Sequence, residues 1–288
     1  MKKIIVSIIA LVAITMSVGA QTFKLYKGET LVGQYSKNQV DKVNIEATQE
    51  AVLNGHAYVE IGGLKWATMN LGASTIANSP STCYGDYYAW GETEPYADVA
   101  LSADNSGTVN FRTHATGKGK YGVKTQYYWG NYCGSAQFSE WTNPPYDSNN
   151  ILKVTENDAA RAAWGGTWRM PTSAEFQALY NACVNGSYDT STNPSGASAS
   201  VGKGVYWCTS YDGVTGVLFC DGTNRVFFPA AGFVITDFHD GGEQGNYRSS
   251  SLDTSLTDRA YLMFFNKANV RSNSTERCYG YSVRPVSE

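Results

Sequence analysis

The chain reads as an α+β protein, with short strands, long loops and two helices rather than the strict strand–helix alternation of a doubly wound sheet. Three observations carry this. Short apolar runs with strand character recur at Tyr58–Ile61 and Leu64–Ala67, then at VYWCTS (205–210), GVLFC (216–220), NRVFFPAAGF (224–233), AYLMFF (260–265) and YSVRPV (281–286). Helix signatures occur in only two stretches, both within 155–185. Polar, glycine-punctuated stretches at 97–150 and 187–204 separate these segments, and no internal repeat is evident.

Taken in order, residues 1–20 carry Lys2 and Lys3, an apolar run from Ile4 to Val18, and the small residues Gly19 and Ala20. This is the pattern of a secretory signal peptide, shorter than the ~20 apolar residues a spanning helix needs. Gln21, not Cys, follows the cleavage point, so no lipid anchor is expected. The expectation is an exported protein, periplasmic, on the outer cell surface or secreted, with no transmembrane segment in the mature chain. The remaining 268 residues suffice for a large core, and their net charge is about −5 once Lys2 and Lys3 are gone. No basic stripe is present, so nucleic acid is not an expected partner.

Residues 21–48 form a short N-terminal β module. Phe23 and Leu25 alternate with polar neighbours, Lys27-Gly28-Glu29 is a turn, and Leu31-Val32 and Val40, Val43 and Ile45 resume the β pattern. It is too small to fold alone. Residues 49–288 are the main domain. Gly62-Gly63 joins Tyr58–Ile61 to Leu64–Ala67 in a hairpin. An aromatic stretch, CYGDYYAWGETEPY (83–96), follows, and further strands are expected around Tyr127-Tyr128-Trp129. Thr155–Asp158 offers a helix start ahead of AARAAW (159–164). A second helix begins after Pro171: Thr172 and Glu175 make a capping box, and Phe176, Leu179, Tyr180 and Cys183 share one face up to Asn185-Gly186.

The pattern carries little catalytic chemistry. Six cysteines, Cys83, Cys133, Cys183, Cys208, Cys220 and Cys278, permit up to three disulfides in an exported chain, and no C-x-x-C occurs. His56, His114 and His239 lie in separate regions without ligand-pair spacing. There is no G-x-S-x-G elbow, P-loop or dinucleotide fingerprint. Carboxylates such as Glu92 and Glu94 form no diagnostic pair. A non-enzyme without a cofactor is therefore expected, and the oxygen-rich stretches Asp237–Glu243 and Asp253–Asp258 leave room for a structural calcium.

The stretch WGGTWRMPTSAEF (164–176) reads as scaffold. Trp164 and Trp168 fill core volume, Arg169 pairs with Glu175 across the helix start, Pro171 presets the chain and Thr172 caps it. Its core, WRMPTSAEF, is similar to the R-L-P-T-E-A-E-W-E signature of the formylglycine-generating enzyme family, a branch of the C-type lectin-like fold. GLKWATMNLGAS (63–74), YGDYYAWGET (84–93), NDAARAAWGGTWRMPTSAEF (157–176), FFPAAGF (227–233), RSSS (248–251) and YGYSVRPV (279–286) resemble, in that order, exported Bacteroidetes proteins with the Fibrobacter-type major paralogous domain. The resemblance covers about residues 55–286 and implies a C-type lectin-like α+β domain with two helices and small antiparallel sheets. It departs from the enzyme family at the chemistry, because Cys208 and Cys220 are far apart and Cys278 stands alone. Glu94-Pro95-Tyr96 likewise breaks the calcium motif of classical lectins.

The segment NKANVRSNSTERCYGY (266–281) is dense in Arg, Asn, Ser and Tyr, side chains that give contact area at low entropic cost. Arg271 and Arg277 offer planar donors, and in an extended chain Tyr279 and Tyr281 point to one face. The order resembles the C-terminal segment of retroelement-diversified variable proteins. That resemblance implies exchangeable positions at Arg248, Arg271, Ser272, Asn273, Ser274, Thr275, Glu276, Cys278, Tyr279 and Tyr281, with Ser282, Val283, Arg284 and Pro285 in the fixed part. The expected function is an exported, non-catalytic binding module for a protein or glycan at a cell surface. The alternatives are a surface or filament-tip structural subunit, docked through the β module, and an enzyme of the formylglycine-generating superfamily with altered chemistry.

Overall fold

The computed structural model describes residues 51–96, 146–185, 203–235, 237–256 and 258–288, together with strand segments at 2–7, 12–15, 22–27, 30–36, 40–46, 107–108 and 197–198. The expected strands around Tyr127-Tyr128-Trp129 lie outside the described residues. The chain divides into two compact units, Met1–Ala51 and Val52–Glu288. In the first, β1 (Lys2–Ser7) pairs in parallel with β5 (Val40–Glu46). Strand β3 (Thr22–Lys27) runs antiparallel to both β2 (Val12–Thr15) and β4 (Thr30–Ser36). The strands expected after residue 21 are present, and the stretch read as a leader also carries strands.

The second unit is a mixed α+β structure, mostly sheet, with four short helical segments among the described residues. Its first sheet has the order β21 (Val286–Ser287), β8 (Leu64–Ala67), β7 (His56–Ile61), β6 (Ala51–Leu53). Gly62 and Gly63 turn the hairpin with φ of 63° and 82°, a region glycine reaches without steric cost. The last strand thus lies beside an early one, Val286 opposite Trp66. A second sheet is the run β11 (Ala197–Ser198), β12 (Val205–Tyr211), β13 (Val214–Cys220), β14 (Arg225–Pro229). The third has the order β10 (Gly107–Thr108), β16 (Asp237–Gly241), β15 (Ala231–Val234), β17 (Gln244–Leu252), β18 (Arg259–Asn266), β19 (Val270–Glu276). Against β17 also pairs β20 (Tyr281–Ser282), which pairs in turn with β9 (Tyr87–Tyr88).

Several expectations are corrected. NRVFFPAAGF is two strands, because the chain leaves one sheet at Pro229 and joins another at Ala231. YSVRPV likewise splits into β20 and β21. Asp237–Glu243 is not an open loop but strand β16 and its turn into β17, where Gln244 Nε2 donates to Asp240 Oδ2 at 2.6 Å. A short helix, α1 (Pro80–Cys83), was not anticipated, although Ser79-Pro80 is a fitting start. The first expected helix is two pieces, α2 (Val154–Asn157) and α3 (Ala159–Trp164). Thr155 caps neither; Asp158, in extended conformation between them, accepts from Arg161 N at 2.9 Å.

Helix α4 (Ser173–Asn185) forms as its sequence dictates. Glu175 N donates to Thr172 Oγ1 at 3.2 Å and Thr172 N to Glu175 Oε2 at 2.7 Å. Arg169 donates to both Glu175 oxygens, at 2.8 and 2.6 Å. Phe176, Leu179 and Cys183 are buried against Val205, Val217, Phe219, Met263 and Phe265 of β12, β13 and β18, while Tyr180 is half-buried. Trp168 is fully buried and donates Nε1 to Leu53 O at 3.0 Å. Trp164 is only half-buried, stacked on His56 at 3.7 Å between ring centres, so it covers the core rather than filling it.

Arg284 is fully buried between β20 and β21. Its Nε donates to Asn70 Oδ1, Nη1 to Ala67 O and Nη2 to Phe227 O, each at 2.9 Å, and its guanidinium lies 4.4 Å over the Phe228 ring. Asn70 passes the contact on, donating to Tyr84 O at 2.9 Å and Tyr247 Oη at 3.1 Å, and Tyr247 Oη donates to Pro229 O at 2.7 Å.

Three outcomes follow from these contacts. Thr172→Ala removes the cap and should cost about 1 kcal/mol in denaturant unfolding. Arg284→Lys keeps the charge but cannot reach three divergent acceptors, and should cost about 3 kcal/mol or more in the same measurement. Asp158 also accepts from Met170 N at 2.8 Å, yet burial pushes its pKa up to about 6. The unfolded carboxyl titrates near about 4. The folded form therefore binds the proton more tightly, and stability rises as pH falls from about 6 to about 4 and is lost as pH rises through about 6. Asp158→Asn should remove that part of the slope, read as the difference between wild-type and variant melting temperatures across pH 4 to 7.

Candidate functional site

The segment expected as a surface loop, 266–281, is largely strand. Residues Val270–Glu276 form β19, antiparallel to β18, with Phe264 opposite Arg271, Leu262 opposite Asn273 and Ala260 opposite Thr275. Ser and Asn have weak strand preference on their own, but the apolar strand AYLMFF offers a complete ladder and recruits them. Because partners across a ladder share a face, Arg271, Asn273 and Thr275 lie on one side of the sheet. Ser272, Ser274 and Glu276 lie on the other, opposite Met263, Tyr261 and Arg259. The predicted residues are thus brought close together but divided between two faces.

Their exposure divides them again. Arg271 and Ser272 are exposed, and Asn273, Ser274, Thr275, Glu276 and Tyr279 are half-buried. Arg248, Arg277 and Tyr281 are interior, at 0%, 1% and 3% exposure, so they are corrected from surface positions to supporting ones. Cys278 is buried and disulfide-bonded, which removes it from any exchangeable set. Tyr279 and Tyr281 do not lie side by side on one open face; their rings meet edge to face at 6.4 Å, the second beneath the surface.

The turn that carries Tyr279 is tied at every carbonyl. Glu276 O accepts from Arg248 Nη2 at 2.9 Å, Arg277 O from Trp90 N at 2.8 Å, Cys278 O from Tyr96 Oη, Tyr279 O from Arg248 Nη2 at 3.0 Å and Gly280 O from Val234 N at 2.9 Å. Arg248 also donates Nη1 to Ala260 O at 3.2 Å and lies 4.3 Å over the Tyr281 ring. Arg277 lies 5.6 Å over Trp90. Gly280 has no room for a side chain, since a Cβ there would sit 2.6 Å from Tyr96. Burial pushes the Tyr281 phenol up to about 12, so it stays neutral at physiological pH.

Sequence reasoning missed part of this surface. His239 of β16 pairs with Phe233 of β15, their rings stacked at 5.3 Å, and Phe233 meets Tyr281 at 5.9 Å. His239, Phe233, Tyr281 and Tyr279 thus form one row of rings, beside which the exposed Arg271 lies 4.8 Å over Phe264. FFPAAGF reads from the sequence as part of a strand, and its phenylalanine gives no signal that β15 would set it beside the C-terminal turn.

The thiols of Cys83, Cys183 and Cys208 are buried and unbridged, so the six cysteines do not make three disulfides. Burial raises the Cys83 thiol to about 12 and the Cys208 thiol to about 11, and that of Cys183 higher still, which keeps them protonated and unreactive near neutral pH. His56 stacks on Trp164 and His239 on Phe233, while His114 lies outside the described residues. Asp253 directs Oδ1 to Ser255 N and Leu256 N and accepts from Ser274 Oγ through Oδ2, so both oxygens serve the loop. Among the described residues, no three His, Cys, Asp or Glu side chains gather as a metal-holding group. No helix among them is long and apolar enough to cross a membrane.

Set against family models, curated proteins and solved structures, the chain finds no match in any of the three. The burial pattern separates two neighbouring tyrosines by role. Tyr281→Ala should open a cavity and cost about 3 kcal/mol, whereas Tyr279→Ala should cost well under half of that, both read from denaturant midpoints.

Proposed function

We propose that this chain is an exported, non-catalytic binding module on a C-type lectin-like scaffold, and that its ligand is a protein or glycan at a cell surface. The single observation that carries the reading is the fixed turn 276–280, which presents Tyr279 at the end of a row of rings with Arg271 nearby. A side chain held by a rigid frame loses little freedom on binding, so its contact energy is not spent on ordering. Tyr and Arg are the residue types that dominate interface energies. The scaffold half of the reading is supported by the capped helix after Pro171, by the small antiparallel sheets and by the buried Arg284. The binding half is supported by the C-terminal segment's half-buried Tyr279 and exposed Arg271, beneath which Arg248, Arg277 and Tyr281 lie buried. The protonated, buried thiols speak against nucleophilic or copper chemistry at those cysteines.

The test is binding by the purified chain to glycan arrays and to intact cells. Tyr279→Ala combined with His239→Ala should reduce retention by about tenfold or more while the melting temperature stays close to that of the parent. Full retention by the folded double variant would place the ligand elsewhere and overturn the reading.

A further inference from the structure

We infer that the open edge of β19 takes up an extended peptide of a partner protein, in which an apolar residue stands next to an acidic one. This rests on the binding-module reading and narrows its ligand to protein.

Among the described residues β19 is the last strand of its sheet, with β18 on one side and no strand on the other. An unpaired edge presents main-chain donors and acceptors that a further strand can use. Exposed edges are commonly blunted by Lys or Pro, and the strand VRSNSTE has neither. Two of its main-chain groups are already covered: Ser274 N donates to the side-chain oxygen of Asn273 at 3.0 Å, and Glu276 O accepts from Arg248 Nη2 at 2.9 Å.

The two faces beside this edge differ in chemistry. On one, a small groove of about 50 Å³ lies between α4 and the β18–β19 pair, floored by Phe176, Met263 and Val270 and rimmed by Gln177 and Ser272, with Arg271 also contributing to its lining. On the other, the guanidinium of Arg271 rests over Phe264, exposed and with no ion pair among the described residues. The strand's other charge is already matched, since Arg259 Nη2 lies 3.2 Å from Glu276 Oε1. Side chains alternate along a strand, so a segment added to β19 would send one residue to the groove and its neighbour to the Arg271 side. An apolar group suits the first place and a carboxylate the second. A sugar chain has no main-chain amides to satisfy the edge and no such alternation, which is why the geometry favours peptide.

The experiment uses the full chain and a display library of random heptapeptides, with the enriched sequences then synthesised. Enrichment of adjacent apolar–acidic pairs is expected. Arg271→Glu, which reverses the charge, and Gln177→Trp, which fills the groove from an exposed helix position, should each weaken the synthetic peptides by about tenfold or more. Both variants should retain the parent's thermal unfolding. N-methylation of alternate peptide amides should abolish binding, as strand addition requires. Peptides that tolerate both substitutions but are lost with Tyr279→Ala would move the site to the row of rings, overturning the edge and sparing the module reading. Self-association of the parent that Arg271→Glu abolishes, without peptide enrichment, would make a second copy of the chain the occupant and overturn the proposal. Failure of any peptide to enrich would overturn it too, while Tyr279-dependent binding to the glycan array would leave the module reading standing.

Discussion

A single buried cation joins three stretches of the second unit that are remote in sequence. Arg284 comes from the C-terminal segment, Ala67 and Asn70 from the end of the first hairpin, and Phe227 from β14, and the guanidinium binds all three at 2.9 Å. Burial pulls its pKa down to about 10, which still leaves it charged near neutral pH. A planar fork with donors in fixed directions suits this position, since three neutral acceptors must be met at once. The hydrogen bonds of Asn70 and Tyr247 extend the same network to Tyr84 and Pro229. Pairing of β21 with β8 depends on it, because the chain passes through Arg284 immediately before entering that sheet.

The candidate surface is built by the same device one layer outward. Arg248, also without exposure, gathers the carbonyls of Ala260, Glu276 and Tyr279 and stacks on Tyr281. A turn of small and polar residues would ordinarily be mobile, but here its backbone is bonded throughout. Along 276–281 only Glu276 and Tyr279 are half-buried and the rest are buried, so few positions there can change freely. The latitude lies on β19 itself, at Arg271, Ser272 and their half-buried neighbours, where the ladder to β18 holds the backbone irrespective of side chain.

Much of the scaffold was legible in the sequence because its signals are local. The Gly62-Gly63 hairpin, the Thr172–Glu175 box, the Arg169–Glu175 pair and the buried face of α4 each depend on residues a few positions apart, and each forms as read. The same reading failed where a neighbour in space overrode local preference. Ser, Asn and Thr in 270–276 suggest a loop until β18 supplies a partner. Asp158, not Thr155, starts α3 because it must also hold Met170 N, twelve residues away.

By itself, then, the sequence determined the mixed α+β class, the capped helix and the presence of an Arg- and Tyr-rich C-terminal segment, since composition and short-range periodicity decide these. Only the tertiary structure decided which of those residues reach the surface. Arg248, Arg277 and Tyr281 have the same chemistry as Arg271 and Tyr279, and nothing in their spacing sets them apart. The register of β17, β18 and β19 and the packing of β9, β15 and β20 around the turn bury the first three and leave the others at the surface. Register is fixed by pairing between distant strands, which a one-dimensional pattern does not contain.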